Sequence, residues 1–126
     1  MTASAFASVS LRPPLVSVCI DHAASLYGAL RGAERFGVSV LASDQEALSR
    51  RFAAVESSHR FDGIGYTRGE NGVVLLDDAL AHIECVLVAQ HEAGDHTLFI
   101  GEVERATARD ARPLLYYRGG YAQLER

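Results

Sequence analysis

Three groups of residues in this chain have types and spacings that could do chemistry. The run Thr2-Ala3-Ser4-Ala5-Phe6-Ala7-Ser8-Val9-Ser10 sets hydroxyls among small side chains. Small residues let a ligand approach the backbone closely, and hydroxyls and free N–H groups bond carbonyl or phosphate oxygens. The plain structural alternative is a frayed polar chain start. Ser25 falls in the first turn of a helix expected to begin near Asp21, where unpaired N–H groups and the positive end of the dipole favour an anion. Arg51 offers a cation for a phosphate; a solvent-facing serine and a solvated surface arginine are the plain alternatives for the two. Finally, His91 and His96 bracket Glu92-Ala93-Gly94-Asp95. A turn there could bring both imidazoles and Asp95 to one metal, but a fourth protein ligand is not evident, so no metal is expected. His96, at the mouth of a hairpin, better suits hydrogen bonding or stacking in a cleft.

Other chemistries lack their signatures. There is no G-x-G-x-x-G after a strand and no G-x-x-x-x-G-K-S/T, the common backbone cradles for nucleotides. The G-x-S-x-G elbow and the H-E-x-x-H zinc motif are also missing. With 126 residues the chain is expected to form one domain over 1–126, and 48% hydrophobic with 22% charged residues argues against disorder. Twelve Lys+Arg against sixteen Asp+Glu give a net charge of −4, which leaves no basic footprint for nucleic acid. The longest apolar run, Leu15 to Ile20, is broken by Ser17 and falls far short of the roughly 20 residues that span a bilayer. Cys19 and Cys85 each sit in an apolar alternating segment, as reduced core cysteines do. No basic n-region precedes the apolar residues of the start, so a cytoplasmic protein without a signal peptide is expected.

The elements that must position these residues are mostly strands. Val9 and Leu11, then Leu15 to Ile20, read as two extended pieces separated by Pro13-Pro14, which cannot donate to a ladder. Asp21 is placed to cap a helix carrying Ala23, Leu26, Tyr27, Leu30 and Ala33 on one face. Val38 to Leu41 reads as a buried strand. Ser43-Asp44-Gln45-Glu46 is a capping-box sequence ahead of a second helix with Leu48, Phe52 and Val55. Glu56 to Asn71 reads as a polar surface connection around a short Ile64-Gly65-Tyr66 strand, followed by a strand at Val73–Leu76. The alternating segment from His82 to Gln90 and that from His96 to Val103 flank Glu92-Ala93-Gly94-Asp95 as a hairpin. A last strand covers Leu114 to Tyr117. An uninterrupted β second half does not fit a doubly wound sheet; a closed or nearly closed antiparallel barrel with helices at its end does.

Taken together, Thr2 to Leu11 leading into Pro13-Pro14-Leu15-Val16, Phe36-Gly37-Val38-Ser39-Val40-Leu41, Gly94-Asp95-His96 with Gly101-Glu102-Val103, and Pro113 to Tyr121 closely resemble the flavin reductase-like family. Its members are reductase components of two-component flavin-dependent monooxygenases. The resemblance implies a mainly β, FMN-binding split barrel, an antiparallel Greek-key-like barrel with two helices. It further implies a cytoplasmic homodimer that binds FMN or FAD, takes hydride from NADH or NADPH, and serves a monooxygenase partner through diffusible reduced flavin. In this reading Ser4 to Ser10, including Ala5, Ser8 and Val9, with Thr2 just ahead, line the isoalloxazine and ribityl chain. Cys19, Asp21 and Ser25 belong to the phosphate end, with Arg51 near it. His96 lies on the nicotinamide side as the catalytic residue, and Tyr121 stands close by. Two departures from the family pattern stand out. A helix and first strand that usually precede the match to Thr2 are not seen, which implies an unpaired edge beside the cofactor, and His22-Ala23-Ala24-Ser25-Leu26 keeps one hydroxyl where several are usual. The competing reading is a non-catalytic flavin-binding split barrel or a truncated inactive fragment.

Overall fold

The computed structural model describes residues 1–54 and 57–125; Val55, expected on the second helix, lies outside the described residues, as do Glu56 and Arg126. Two strands open the fold as a hairpin: β1 (Phe6–Leu11) and β2 (Pro14–Asp21). Pro13 occupies the turn and Pro14 opens β2. Both prolines thus sit where a missing N–H costs no interior ladder bond.

Two helix expectations need correction. The first helix does not begin at Asp21, because Asp21 Oδ1 accepts the Ala23 N–H at 2.8 Å and the Asp21 carbonyl accepts the Ala24 N–H at 3.0 Å. This side-chain-to-backbone turn competes with helix, as aspartates do. The helix α1 is therefore short, Leu26–Arg31. Likewise α2 runs Glu46–Ala54, so Ser43 stands outside it instead of capping it. Gln45 takes the turn: its Oε1 accepts the Ala42 N–H and its carbonyl accepts the Ser49 N–H.

Between these helices lies β3 (Arg35–Val40), and after a 3-10 turn at Ser57–His59 come β4 (Tyr66–Arg68) and β5 (Val74–Leu76). The long hairpin is β6 (Ala81–Ala93) and β7 (His96–Ala108), turned at Gly94 with φ +66°. It runs farther than its alternation predicts. The chain closes with β8 (Leu114–Tyr117) and β9 (Gly120–Gln123), a strand the sequence reading leaves as a chain end. Positive φ at both Arg118 and Gly119 makes the two-residue hairpin turn that pairs them.

The main sheet is antiparallel in the order β1-β2-β7-β6-β3, with β4–β5 and β8–β9 as separate ribbons. Among the described residues β1 and β3 are its open edges. Alternation along β2 sends Val16, Val18 and Ile20 into a core with Leu30, Phe36, Cys85 and Phe99, and therefore sends Ser17, Cys19 and Asp21 to the other face. The core closes around a point where β7 has no side chain. A Cβ on Gly101 would lie 2.5 Å from Phe36 Cζ and 2.8 Å from Cys85 Cβ. Gly101→Ala is accordingly expected to cost about 1–3 kcal/mol by overpacking, read as a lower denaturant midpoint at unchanged slope. A midpoint equal to that of the parent would show that the core yields freely there.

Candidate functional site

The register between β2 and β7 assembles the first part of the site. Asp21 pairs with His96 and Cys19 with Leu98, while the Cys19 N–H donates to the Ala5 carbonyl at 3.1 Å. Residues paired across strands share a face. Ala5, Ala7, Ser17, Cys19, Asp21 and His96 thus lie along the face opposite the core. That face carries mostly small side chains and ends at an imidazole. Immediately beyond, the His22 N–H donates to the Asp95 carbonyl at 2.9 Å, tying the loop after β2 to the β6–β7 turn.

Asp95 orients the imidazole: His96 Nδ1 lies 2.7 Å from Asp95 Oδ1. With the carboxylate ionised, Nδ1 carries the proton and donates, which leaves Nε2 as the ring atom for a ligand. The same bond, then the charge of His96, holds the Asp95 carboxyl below its ordinary pKa. Behind this pair, buried Thr97 receives His22 Nε2 at 2.9 Å and lies 3.5 Å from the Tyr27 hydroxyl, and the His22 and Tyr27 rings pack at 4.8 Å. Ligand atoms of Asp21, Asp95 and His96 come within 4.8 Å of one another. Their bonds to the Ala23 N–H and between Asp95 and His96 account for that grouping, and His91 is not in it; it pairs with Leu98 one strand away.

The other expected residues fall into two further places. Ser25 stands at the start of α1 rather than inside its first turn, and makes no side-chain cap. Its Oγ lies 3.4 Å from Arg60 Nη1. Arg51 does not reach this point; its guanidinium donates to the carbonyls of His59, Arg60 and Asp62 at 2.9, 2.9 and 2.6 Å. Thr2 Oγ1 donates to the Ser49 carbonyl at 2.7 Å, and Ser49 Oγ bonds the Tyr121 hydroxyl at 2.8 Å. Thr2, Ser4 and Tyr121 therefore line a different space, an apolar cavity of about 920 Å³ between α2, β8–β9 and the core face of the sheet.

Ser8 and His96 are not brought together within the chain. Ser8 pairs with Val16 on the core side of β2, whereas His96 pairs with Asp21, five residues on and on the other face. That span is about 17 Å of strand. A bulge at Val9 then shifts the register, so Ser10 pairs with Leu15 and returns to the face of His96. Sequence reasoning missed Arg60, hidden in a polar connection, and the Thr97–His22–Tyr27 group, since a threonine in an alternating strand carries no functional mark. The Asx turn at Asp21 was the readable signal for the loop that presents His22 and Ser25.

The main sheet thus joins a face of small side chains to an imidazole oriented by a carboxylate. The chain belongs to the flavin reductase like domain family, whose model matches residues 1–125. It is 45% identical over 125 residues to an NADH-dependent flavin reductase of a Rhodococcus species, covering 99% of this chain and 69% of that protein. Against the reductase subunit HsaB of a flavin-dependent monooxygenase from Mycobacterium tuberculosis the identity is 37% over 123 residues, covering 95% of this chain and 65% of HsaB. Among solved structures, the NADH:FAD oxidoreductase SgcE6 of Streptomyces globisporus, in complex with NAD and FAD fragments, superposes with a TM-score of 0.94 at 38% identity, over 99% of this chain and 76% of that one. The expected mainly β flavin reductase fold is thereby shown.

The Asp95–His96 bond sets a pH signature. Because the folded carboxyl titrates below its ordinary value, its contribution to stability is fully present above that value and is lost as pH falls through the lowered one. The Asp95 carboxyl resonance should titrate below that of a free aspartate, and His96→Ala should raise its midpoint toward the ordinary value. A midpoint indifferent to His96→Ala would mean the pair is not formed in solution.

Proposed function

We propose that this protein is an NAD(P)H-dependent flavin reductase, a single domain over residues 1–126 that passes hydride from NADH or NADPH to FMN or FAD and supplies reduced flavin to a flavin-dependent monooxygenase. The observation that carries this reading is the face running from Ala5 and Ala7 through Cys19 and Asp21 to His96. A planar aromatic ring needs such a surface of small side chains beside accessible backbone. β1 supplies that backbone, because it is the sheet's edge among the described residues and is bulged at Val9. The acceptor–donor–acceptor edge of an isoalloxazine complements the N–H and C=O groups of such a strand. These residues fit a flavin.

A bound flavin supplies the hydride-accepting chemistry, so no catalytic triad or carboxylate pair is required of the protein. The chain's own residues bind and orient. Ala5, Ser10, Cys19 and Asp21 form the bed; His96, its Nδ1 held by Asp95, aims Nε2 at the incoming dinucleotide. Thr97 and Tyr27 fix the loop at His22 from behind. Relatives named NADH-dependent flavin reductase, and HsaB named as the reductase subunit of a monooxygenase, support the reductant and the partner.

The working unit in this reading is a homodimer. Val9 and Leu11 on β1 are 52% and 90% exposed, and exposed apolar side chains of this kind are what a second chain covers. Two free thiols agree with a reducing, cytoplasmic setting. No helix among the described residues is long and apolar enough to cross a membrane.

Mixing the protein with NADH and FMN under anaerobic conditions should bleach the visible flavin band far faster than the enzyme-free mixture. His96→Ala should lower kcat/KM for NADH by about 10- to 100-fold through lost positioning, with flavin binding little changed. Bleaching no faster than without protein would end the reductase reading.

A further inference from the structure

One residue from outside the β6–β7 hairpin holds its tip at two points. His22, the first residue after β2, donates its N–H to the Asp95 carbonyl at 2.9 Å, and its Nε2 shares a hydrogen bond of 2.9 Å with Thr97 Oγ1. The two bonds fall on the residues immediately before and after His96, so His22 straddles the position of the imidazole in the chain. Thr97 is 2% exposed and lies opposite Ile20, on the core side of β7. A polar atom buried that deeply needs a partner. The short contact is the one to His22, the Tyr27 hydroxyl standing farther off at 3.5 Å. The Tyr27 ring in turn packs on the His22 ring at 4.8 Å and meets Phe99 edge-on at 6.1 Å. His22 is thus pinned between α1 and the hairpin, while on the other face Asp95 Oδ1 holds His96 Nδ1 at 2.7 Å.

We propose that His22 and Thr97 are positioning residues for His96: His22 clamps the chain on both sides of the imidazole, with the buried Thr97 hydroxyl as its anchor, so that Nε2 stays aimed at the dinucleotide. The inference rests on the flavin-reductase reading and deepens it, because use of the reductant then depends on a hydroxyl that faces the core and not the small-residue face. A clamp is needed at this point because the ladder ends here. Gly94 turns the chain at φ +66°, and Ala93 with His96 is the last pair of the hairpin. Strand ends are where native structure opens most easily, and a displacement of about 1 Å in a positioning group can cost on the order of 100-fold in rate. The side-chain contribution can be separated from the fold of the loop. Removing the His22 imidazole leaves the His22 N–H on Asp95, and the turn at Asp21 is closed by the Ala23 and Ala24 N–H groups, which also remain. Thr97→Val keeps the branched shape and removes the hydroxyl.

The test pairs steady-state kinetics with proton exchange in the full chain. Thr97→Val and His22→Ala should each lower kcat/KM for NADH about 3- to 10-fold, chiefly through KM, while FMN affinity from fluorescence quenching stays within about twofold. Thr97→Ser keeps the hydroxyl, and His22→Gln keeps a donor at similar reach, so both should recover most of the loss. A role in packing alone would instead make Thr97→Ser, the smaller side chain, worse than Thr97→Val. Adding Thr97→Val to His96→Ala should cost nothing more, since the clamp acts through that imidazole. Independently of turnover, the His96 Nδ1 proton, followed by NMR with isotopically labelled histidine, should exchange with solvent several-fold faster in Thr97→Val than in the parent. Where circular dichroism shows Thr97→Val unfolded, His22→Ala carries the same outcomes, because it changes an exposed side chain. Unchanged NADH kinetics, unchanged exchange, a loss that persists in the His96→Ala background, or equal weakening of FMN binding overturns the clamp and leaves the reductase reading intact. A parent that cannot bleach flavin with NADH overturns that reading, and the positioning role with it.

Discussion

The antiparallel register between β2 and β7 is the constraint on which the site depends. It sets Asp21 against His96 and Cys19 against Leu98. Because side chains alternate, the same register that buries Val18 beside Phe99 and Ile20 beside Thr97 presents Cys19, Asp21 and His96 outward. A slip of one residue would exchange the two sets, burying a carboxylate and an imidazole and exposing the core. The energetic cost of that exchange is what holds the imidazole in place. Function here inherits its precision from hydrophobic burial on the reverse of the same strands.

The two ends of that strand pair are closed differently, and each closure positions something. At the core, the bare Gly101 backbone admits the Phe36 ring against Cys85, so β2, β7, β6 and β3 meet without a gap. Burial chiefly, with the Glu104 charge second, pushes the Cys85 thiol up to about 11, which keeps it an inert core residue at neutral pH. At the other end, polar bonds replace packing. The loop after β2 is held by the Asp21 turn, by the His22 N–H on Asp95 and by His22 on Thr97. α2 contributes through the Ser49 hydroxyl to Tyr121, the Ser49 carbonyl to Thr2, and Arg51 to the 59–62 turn.

Much of this was legible in the sequence, because periodic burial leaves a periodic pattern. The alternation of Val16, Val18 and Ile20, the Gly94-Asp95 turn and the motif order gave the strands, the long hairpin and the family. Asp21 is expected at the phosphate end and His96 on the nicotinamide side; the register pairs them directly. What failed was local competition. Asp21 reads as a helix cap, yet its carboxylate closes a tighter turn and delays the helix to Leu26; Ser43 reads as a cap, yet Gln45 reaches back first. Arg51 on the second helix reads as a cation for a phosphate, and only folding shows its guanidinium held by the carbonyls of the 59–62 turn. The hydroxyl run from Thr2 to Ser10 reads as one bed, but the bulge at Val9 and the bond from Thr2 to Ser49 divide it among three surroundings.

Cys19 offers the most direct measurement of where the cofactor lies, since it is half-buried in the middle of the small-residue face while Cys85 is fully buried. A thiol reagent at neutral pH should modify Cys19 alone, and saturating FMN, its binding confirmed by fluorescence quenching, should slow that reaction several-fold. Flavin bound with Cys19 modified at an undiminished rate would place the ring elsewhere on the protein and contradict the account.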